Sequence, residues 1–313
     1  MISGYFGCIK VNGFSKRILN TIATVFCYTL GILALSCIFN PEALTFKRIV
    51  KSVFPISFEA YWFITAYIGL QLLSPWLNKL IGKITFKECH NLLVVLTVML
   101  SVLPTLRTKQ IWGNYLMWFV FLYLIAGFIR KYKDKLLEKE NVENIRIKKL
   151  RKIAEVVFAS SIGLMWGLSV AFYYVGNIPH VSFLSKFAKL TSYFALHMEN
   201  AFMLAASVSA FCFVLFMKHL PKSFNKIINA IGKNVLGAYL VQSNTFISSY
   251  LWKFVHSNAD FNSAVCIPKI LSFCITIVLC GIAVNLCISP LILIFGKSKP
   301  FVLIDKKLSC ILN

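Results

Sequence analysis

The chain has 313 residues, of which 58% are hydrophobic and 14% charged, with a mean hydropathy of +0.74. A soluble domain carries roughly 25% charged residues, so this composition excludes a water-soluble globular protein, which could not cover its own surface. The net charge of +22 would suggest nucleic acid in a soluble chain. Here the Lys and Arg residues sit between apolar stretches with no exposed aromatics among them, so the expected partner is the lipid bilayer and not nucleic acid.

A spanning helix needs about 20 mostly apolar residues, because its backbone polar groups must be satisfied within the segment. The chain opens on an apolar segment, residues 1–6, that is too short to span and reads as the tail of a helix. Spans follow at residues 18–39, 61–81, 92–106, 111–129, 153–175, 198–217, 235–255 and 270–295. The predicted fold is therefore all-α, a polytopic transmembrane helix bundle of about eight spans. The third span is short, and the seventh is unusually polar. With the N-terminus in the cytoplasm, the inside segments are 1–17, 79–90, 130–152, 218–234 and 296–313. Together they hold 24 of the 33 Lys and Arg residues. Positive charge stays inside in this orientation, and an even number of spans returns the C-terminus to the cytoplasm. Residues 130–152 form the densest basic loop within a single membrane domain, 1–313. The ten cysteines lie mostly in apolar runs without zinc-ligand spacing, so they read as packing residues, and no metal is expected.

Two polar groupings stand out. Gln242, Thr245 and Ser249 fall at i, i+3 and i+7 of the seventh span, on one face of a continuous helix. Asn244 and Ser248 extend that face and Lys253 closes it. Such a face belongs against a cavity or other helices, not lipid. His197 and Glu199, beside Asn200, sit at the outer edge of the sixth span as a charge pair able to hold a hydroxylated substrate.

Residues 54–79, FPISFEAYWFITAYIGLQLLSPWLNK, carry Pro55, Tyr61-Trp62-Phe63, Ala66-Tyr67, Leu73-Ser74-Pro75, Leu77 and Asn78. This order resembles a signature of the acyltransferase-3 family of membrane O-acyltransferases, in particular the branch associated with bacterial surface polysaccharides. Residues 2–6, ISGYF, followed by Lys16-Arg17, resemble the exit of that family's second helix. Residues 232–244, GKNVLGAYLVQSN, resemble its late segment.

The resemblance implies about ten spans in the family, so this chain is expected to lack the first helix and most of the second. It also implies an Arg and a catalytic His on that first helix, which match no residue here, so the catalytic residue stays unassigned. Gln242 stands where the family commonly has His, and a glutamine cannot titrate. Trp62, Tyr67 and Tyr239 are expected to line the substrate cavity with Gln242, Thr245, Ser249, His197 and Glu199. Asn78 and Ser74-Pro75 are expected to pack a helix end. On the acyl-donor side, Ser3 and Gly4 allow close helix approach, and Lys10, Lys16 and Arg17 are candidates for coenzyme A phosphates.

The implied function is transfer of an acetyl or other short acyl group from acetyl-CoA, as cosubstrate, to a hydroxyl of a cell-envelope glycan or its lipid-linked precursor. The site of action is the bacterial plasma membrane. A glycan-intermediate flippase, polymerase or transporter is the alternative, since it too needs many spans and a polar cavity. A third reading is a chain without activity, because the histidine is missing.

Overall fold

The computed structural model describes residues 1–8, 14–109, 114–137, 143–178, 185–215, 226–258, 265–296 and 298–312. Among them every regular element is helical. In chain order these are α1 (Ile2–Gly7), α2 (Phe14–Phe39), α3 (Phe46–Val53), α4 (Trp62–Lys83), α5 (Phe86–Thr97), α6 (Leu103–Arg107), α7 (Tyr115–Leu137), α8 (Glu143–Gly176), α9 (Ser185–Leu196), α10 (Ala201–Leu215), α11 (Lys226–Gln242), α12 (Ser248–Asn258), α13 (Cys266–Gly296) and α14 (Lys299–Leu312). A single 3-10 turn, Pro41–Ala43, precedes α3.

Five stretches among the described residues are long and apolar enough to cross a membrane: Ser15–Phe39, Phe86–Arg107, Tyr115–Tyr132, Ile147–Gly176 and Pro268–Ile292. The predicted second span corresponds to α4, which is 22 residues long but falls outside that set. The predicted sixth corresponds to α10, a shorter apolar helix. The third is longer than expected because α5 begins early. Thr85 and Glu88 form a reciprocal capping box that satisfies the first backbone N–H groups of α5. The run continues through a π-helical turn, Val98–Val102, into α6. Pro104 has no N–H for the carbonyl four residues back, and the wider turn lies directly ahead of it.

Among the described residues, α4 and α13 carry an internal proline, and both meet it with the same local device. Pro75 in α4 cannot donate to the Gln71 carbonyl, and the Ser74 hydroxyl does so instead at 2.7 Å. Pro290 in α13 leaves the Leu286 carbonyl in the same position, and Ser289 donates to it at 3.0 Å. Each Ser-Pro pair thus repairs the hydrogen bond its proline removes, which matters most where no water can. Ser74-Pro75 lies mid-helix, not at the helix end expected from the sequence.

The chain divides into two compact units. Unit 1 comprises Met1–Lys10 and Trp76–Lys222, and unit 2 comprises Val11–Pro75 and Ser223–Asn313. In unit 1, α8 packs against α9 and α10, while α1 and α5 pack on α7. Leu100, Trp118, Phe121 and Leu204 form one core there, and Met165, Tyr193 and Phe194 another. In unit 2, α2 and α11 both pack on α13. Its core joins Ile18, Val25 and Tyr28 of α2 to Tyr61, Ile64, Ile68 and Leu240. The crossing of α11 and α13 is close: a Cβ added at Gly281 would run into the backbone of Ala238, and one at Gly237 would stand 2.7 Å from the Gly281 carbonyl oxygen. Small residues permit such contact where lipid offers no hydrophobic drive. The same helices share a polar bridge, with Tyr28 donating to Asn285 at 3.1 Å and Asn285 donating to Asn234.

Candidate functional site

In unit 2, the aromatic start of α4 meets the end of α11. The predicted continuous seventh helix does not form. The chain leaves helical geometry after Gln242, passes through residues 243–247, and resumes as α12 at Ser248. The cause is local chemistry. Asn244 Oδ1 accepts from the Phe246 N–H at 2.9 Å, offering the backbone an alternative to the helical ladder in a run of Ser, Asn and Thr. The same side chain donates from Nδ2 to the Tyr61 hydroxyl at 2.9 Å, so both halves of the Asn244 amide are used.

Tyr239 lies one turn before the break, and its hydroxyl is hydrogen-bonded to the Ser243 side chain. Its oxygen accepts from the Phe63 N–H at 3.4 Å, and its ring lies 5.6 Å from Phe63 and 6.0 Å from Tyr61. Phe63 stands parallel to Tyr67 at 6.3 Å and edge-on to Trp62 at 5.9 Å. Unit 2 therefore brings together three of the expected cavity residues, Trp62, Tyr67 and Tyr239. Gln242 and Thr245 are half-buried on either side of the break, and Ser249 is exposed on α12. These last three do not share one helix face, which corrects the i, i+3, i+7 expectation. Phe246 is buried beneath the Arg48 guanidinium, 5.6 Å from its ring centre, and Tyr250 accepts from Asn40 at 2.7 Å.

The remaining expected residues divide between the units. Ser3 and Gly4 are in unit 1, Lys16 and Arg17 are exposed in unit 2, and Lys10 lies outside the described residues. Gly4 makes the close approach predicted for it. A Cβ there would stand 2.8 Å from the Tyr123 carbonyl oxygen and 3.1 Å from Ala126 Cβ. Around that contact, Asn78 donates to the Gly7 carbonyl at 3.0 Å and accepts from the Tyr123 hydroxyl at 2.7 Å. Arg130 donates to the Tyr5 hydroxyl at 3.1 Å and stacks over its ring at 4.9 Å. Next to it, Lys131 donates to the carbonyls of Ile81, Gly82 and Ile84 at 2.6–3.1 Å, a cation closing the C-terminal end of α4.

A third grouping, also in unit 1, forms where α9 turns into α10. His197 Nδ1 lies 3.1 Å from Glu199 Oε1, and the Tyr193 and His197 rings stack at 4.8 Å. Asn200 caps α10, its Oδ1 accepting from the Phe202 N–H at 2.8 Å. Thr105 of α6 ties in by accepting from the Ala201 N–H at 2.8 Å while donating to the Ser101 carbonyl at 2.7 Å. Burial pushes the Tyr193 phenol up to about 12, so it stays a neutral donor. His197 is half-exposed, whereas Glu199 is buried with a tenth of its side chain reaching solvent. The Tyr193 hydroxyl is hydrogen-bonded to the Thr105 side chain, whereas three other buried side-chain polar atoms among the described residues of unit 1, Ser101 Oγ, Thr191 Oγ1 and Asn200 Nδ2, have no partner. Leaving such a group unsatisfied costs about 1–3 kcal/mol.

A family model described as an acyltransferase domain matches residues 1–293. The chain belongs to the acyltransferase-3 family. Neither the curated proteins nor the solved structures contain a match to it. As a member of that family with five helices apolar enough to cross a bilayer, it is a membrane protein and an acyltransferase in the general sense. The acyltransferase-3 match ends within α13, so α14 lies beyond it.

Sequence reasoning about this acyltransferase missed several residues that the structure makes central. Tyr61 enters the sequence reading only as part of the signature over residues 54–79, yet it is buried and bonded across 183 positions to Asn244. Asn78 reads as helix-end packing, yet it bridges α1 and α7. Ser101, Thr105 and Tyr193 gave no signal beyond being polar residues near a span. The Pro104 that follows Ser101 was the available hint of an irregular turn.

Proposed function

We propose that the chain moves an acetyl or similar short acyl group from acetyl-CoA, on the cytoplasmic side, to a hydroxyl of a cell-envelope polysaccharide or its lipid-linked precursor. In that reaction the thioester C–S bond breaks, an ester C–O bond forms, and the acceptor hydroxyl's proton ends on the coenzyme A thiol. The observation that carries the reading is the acyltransferase-domain match over residues 1–293. The exposed faces of Trp62 and Phe63, beside Tyr67 and Tyr239, supply apolar surfaces on which the C–H face of a sugar ring can stack. The half-buried amide of Gln242 adds hydrogen-bonding capacity at the adjacent break. Ser3 and Gly4 are assigned to the acyl-donor side, and Lys10, Lys16 and Arg17 are kept as candidates for the coenzyme A phosphates.

We further propose about eight crossings of the cell membrane, adding α4, α10 and the broken α11–α12 pair to the five long apolar helices. A broken helix within a membrane is tolerated where it lines a cavity or is buried in protein. Both termini are assigned to the cytoplasm by the placement of Lys and Arg.

The test uses membranes carrying the full chain, radiolabelled acetyl-CoA and the host's envelope glycan. The expected result is label in the glycan that mild alkali releases, with a fall of at least tenfold for Tyr239→Ala. Absence of alkali-labile label would sink the proposal. Movement of glycan across the membrane without acylation would place the chain among transporters.

A further inference from the structure

The eight residues of α3, Phe46–Val53, lie in the connection between α2 and α4 and carry three basic side chains and no acidic one. Thr45 caps the helix, its hydroxyl accepting from the Arg48 N–H at 3.4 Å. One face is turned inward and held there. The Arg48 guanidinium lies over the Phe246 ring, 5.6 Å from its centre, and donates to the Ala43 carbonyl at 3.0 Å. Ser52, one turn on, is buried and donates to the Arg48 carbonyl at 2.9 Å. These contacts set the rotation of α3 about its axis, and so decide what its other faces present.

Two outward faces of different chemistry result. Phe46, Ile49 and Val53 fall at i, i+3 and i+7, which makes them one stripe of the helix. All three are exposed, Phe46 by 84%. Phe54 and Phe58, each half-exposed with rings 6.5 Å apart, carry the apolar surface past the helix end. Lys47 and Lys51 fall at i and i+4 on the adjoining face. Among the described residues neither lysine has a hydrogen-bond or ion-pair partner, and the acids of this connection, Glu42 and Glu59, lie beyond the two ends of the helix.

An apolar stripe bordered by lysines is the make-up of a helix lying in a membrane interface, with its apolar side chains among the acyl chains and its ammonium groups at the headgroups. The place of α3 in the chain agrees with this. Only residues 40–45 separate it from α2, whose stretch Ser15–Phe39 is long and apolar enough to cross the bilayer, so α3 emerges at a membrane surface. Leu35, Ile38 and Phe39 at the end of α2 are exposed as well, and the stripe of α3 continues that lipid-facing surface. A stable protein partner would need about 20–30 residues a side, far more than one stripe over two turns supplies. A soluble acidic polymer would meet the lysines and leave the stripe in water. An anionic lipid meets both faces at once.

We propose that α3 lies in the membrane interface and binds anionic phospholipid, with Phe46, Ile49 and Val53 among the acyl chains and Lys47 and Lys51 at the negatively charged headgroup. The proposal uses the membrane crossing by α2 and does not rest on acyl transfer.

The test places the photo-crosslinking residue p-benzoylphenylalanine at Phe46 in the full chain, in nanodiscs of equal phosphatidylglycerol and phosphatidylcholine. Mass spectrometry of the peptide that bears residue 46 gives the ratio of the two lipid adducts. The same probe at Leu279, exposed in the middle of α13, gives the ratio for ordinary lipid contact. A lysine close to an anionic surface is worth about a fivefold bias, so the phosphatidylglycerol ratio at Phe46 is expected to be at least fivefold above that at Leu279. Lys47→Gln together with Lys51→Gln should bring it down to the Leu279 value. Lys47→Arg together with Lys51→Arg should keep it, because the charge is retained. The proposal is overturned if residue 46 forms no lipid adduct, if it crosslinks to a second copy of the chain, if its ratio equals that at Leu279, or if the glutamine pair leaves the ratio unchanged.

Discussion

Replacing Gly4 by alanine tests how α1 docks on α7. The new Cβ would stand 2.8 Å from the Tyr123 carbonyl oxygen, 3.0 Å from Tyr123 Cα and 3.1 Å from Ala126 Cβ. Two of these are backbone atoms and the third is a fixed methyl, so no side chain can swing aside, and α1 must lift. Overpacking of this kind costs about 1–3 kcal/mol. Alanine also gains about 1 kcal/mol of helix propensity over glycine, but in a six-residue helix held by tertiary contacts that gain is the smaller effect. The net penalty on docking is then about 1–2 kcal/mol, and since 1.4 kcal/mol is tenfold, the undocked fraction rises about 5- to 30-fold. Cys8 reports it. Its Sγ donates to the Tyr5 carbonyl at 3.4 Å, and burial raises its thiol above the ordinary range, with Arg130 opposing. Peptide-resolved thiol labelling of the full chain in nanodiscs should show Cys8 reacting about 5- to 30-fold faster in Gly4→Ala, with Ser3→Ala within about twofold of wild type. Labelling of Gly4→Ala at the wild-type rate would refute the close-approach argument.

Other perturbations follow from the same geometry. Ser74→Ala strips the Gln71 carbonyl of the donor that replaces the Pro75 N–H, and should lower stability by about 1–3 kcal/mol; adding Pro75→Ala returns an N–H, so the double variant should melt higher than Ser74→Ala alone in a thermal-shift assay. Asn78→Ala removes bonds to both Gly7 and Tyr123 and is expected to cost about 1–3 kcal/mol. A double-mutant cycle with Tyr123→Phe should be non-additive, and strict additivity would argue against the bridge. Lys131→Met removes a donor from three carbonyls at the end of α4, with an expected loss of about 0.5–2 kcal/mol read as a lower melting temperature; an unchanged melting temperature would count against the cap. Asn244→Leu loses the bond to Tyr61 and the turn-forming acceptor for Phe246, so acyl transfer should fall at least tenfold, and retained activity would remove this break from the site.

Much of this acyltransferase is legible without coordinates. Low charge and long apolar runs dictate helices, because in lipid a helix satisfies its own backbone. The close approach at Gly4 follows from the resemblance of residues 2–6 to the family's helix exit, and a small residue is what permits it. The signature over residues 54–79 points to the family, and the acyltransferase match over residues 1–293 agrees. Hydropathy and periodicity describe a residue's average surroundings, however, and not its partner. They read residues 235–255 as one helix, whereas Asn244 gains more by bonding Tyr61 and the Phe246 N–H than by continuing the ladder. That choice depends on a tyrosine 183 positions away, which no local window contains. The α9–α10 joint is the same case: Thr105 and Tyr193 are unremarkable polar residues on separate helices until packing brings them together beside Asn200. Composition decides that the chain lives in a membrane as helices. Which polar groups are paired, and with what, is decided only when distant segments exclude water from one another.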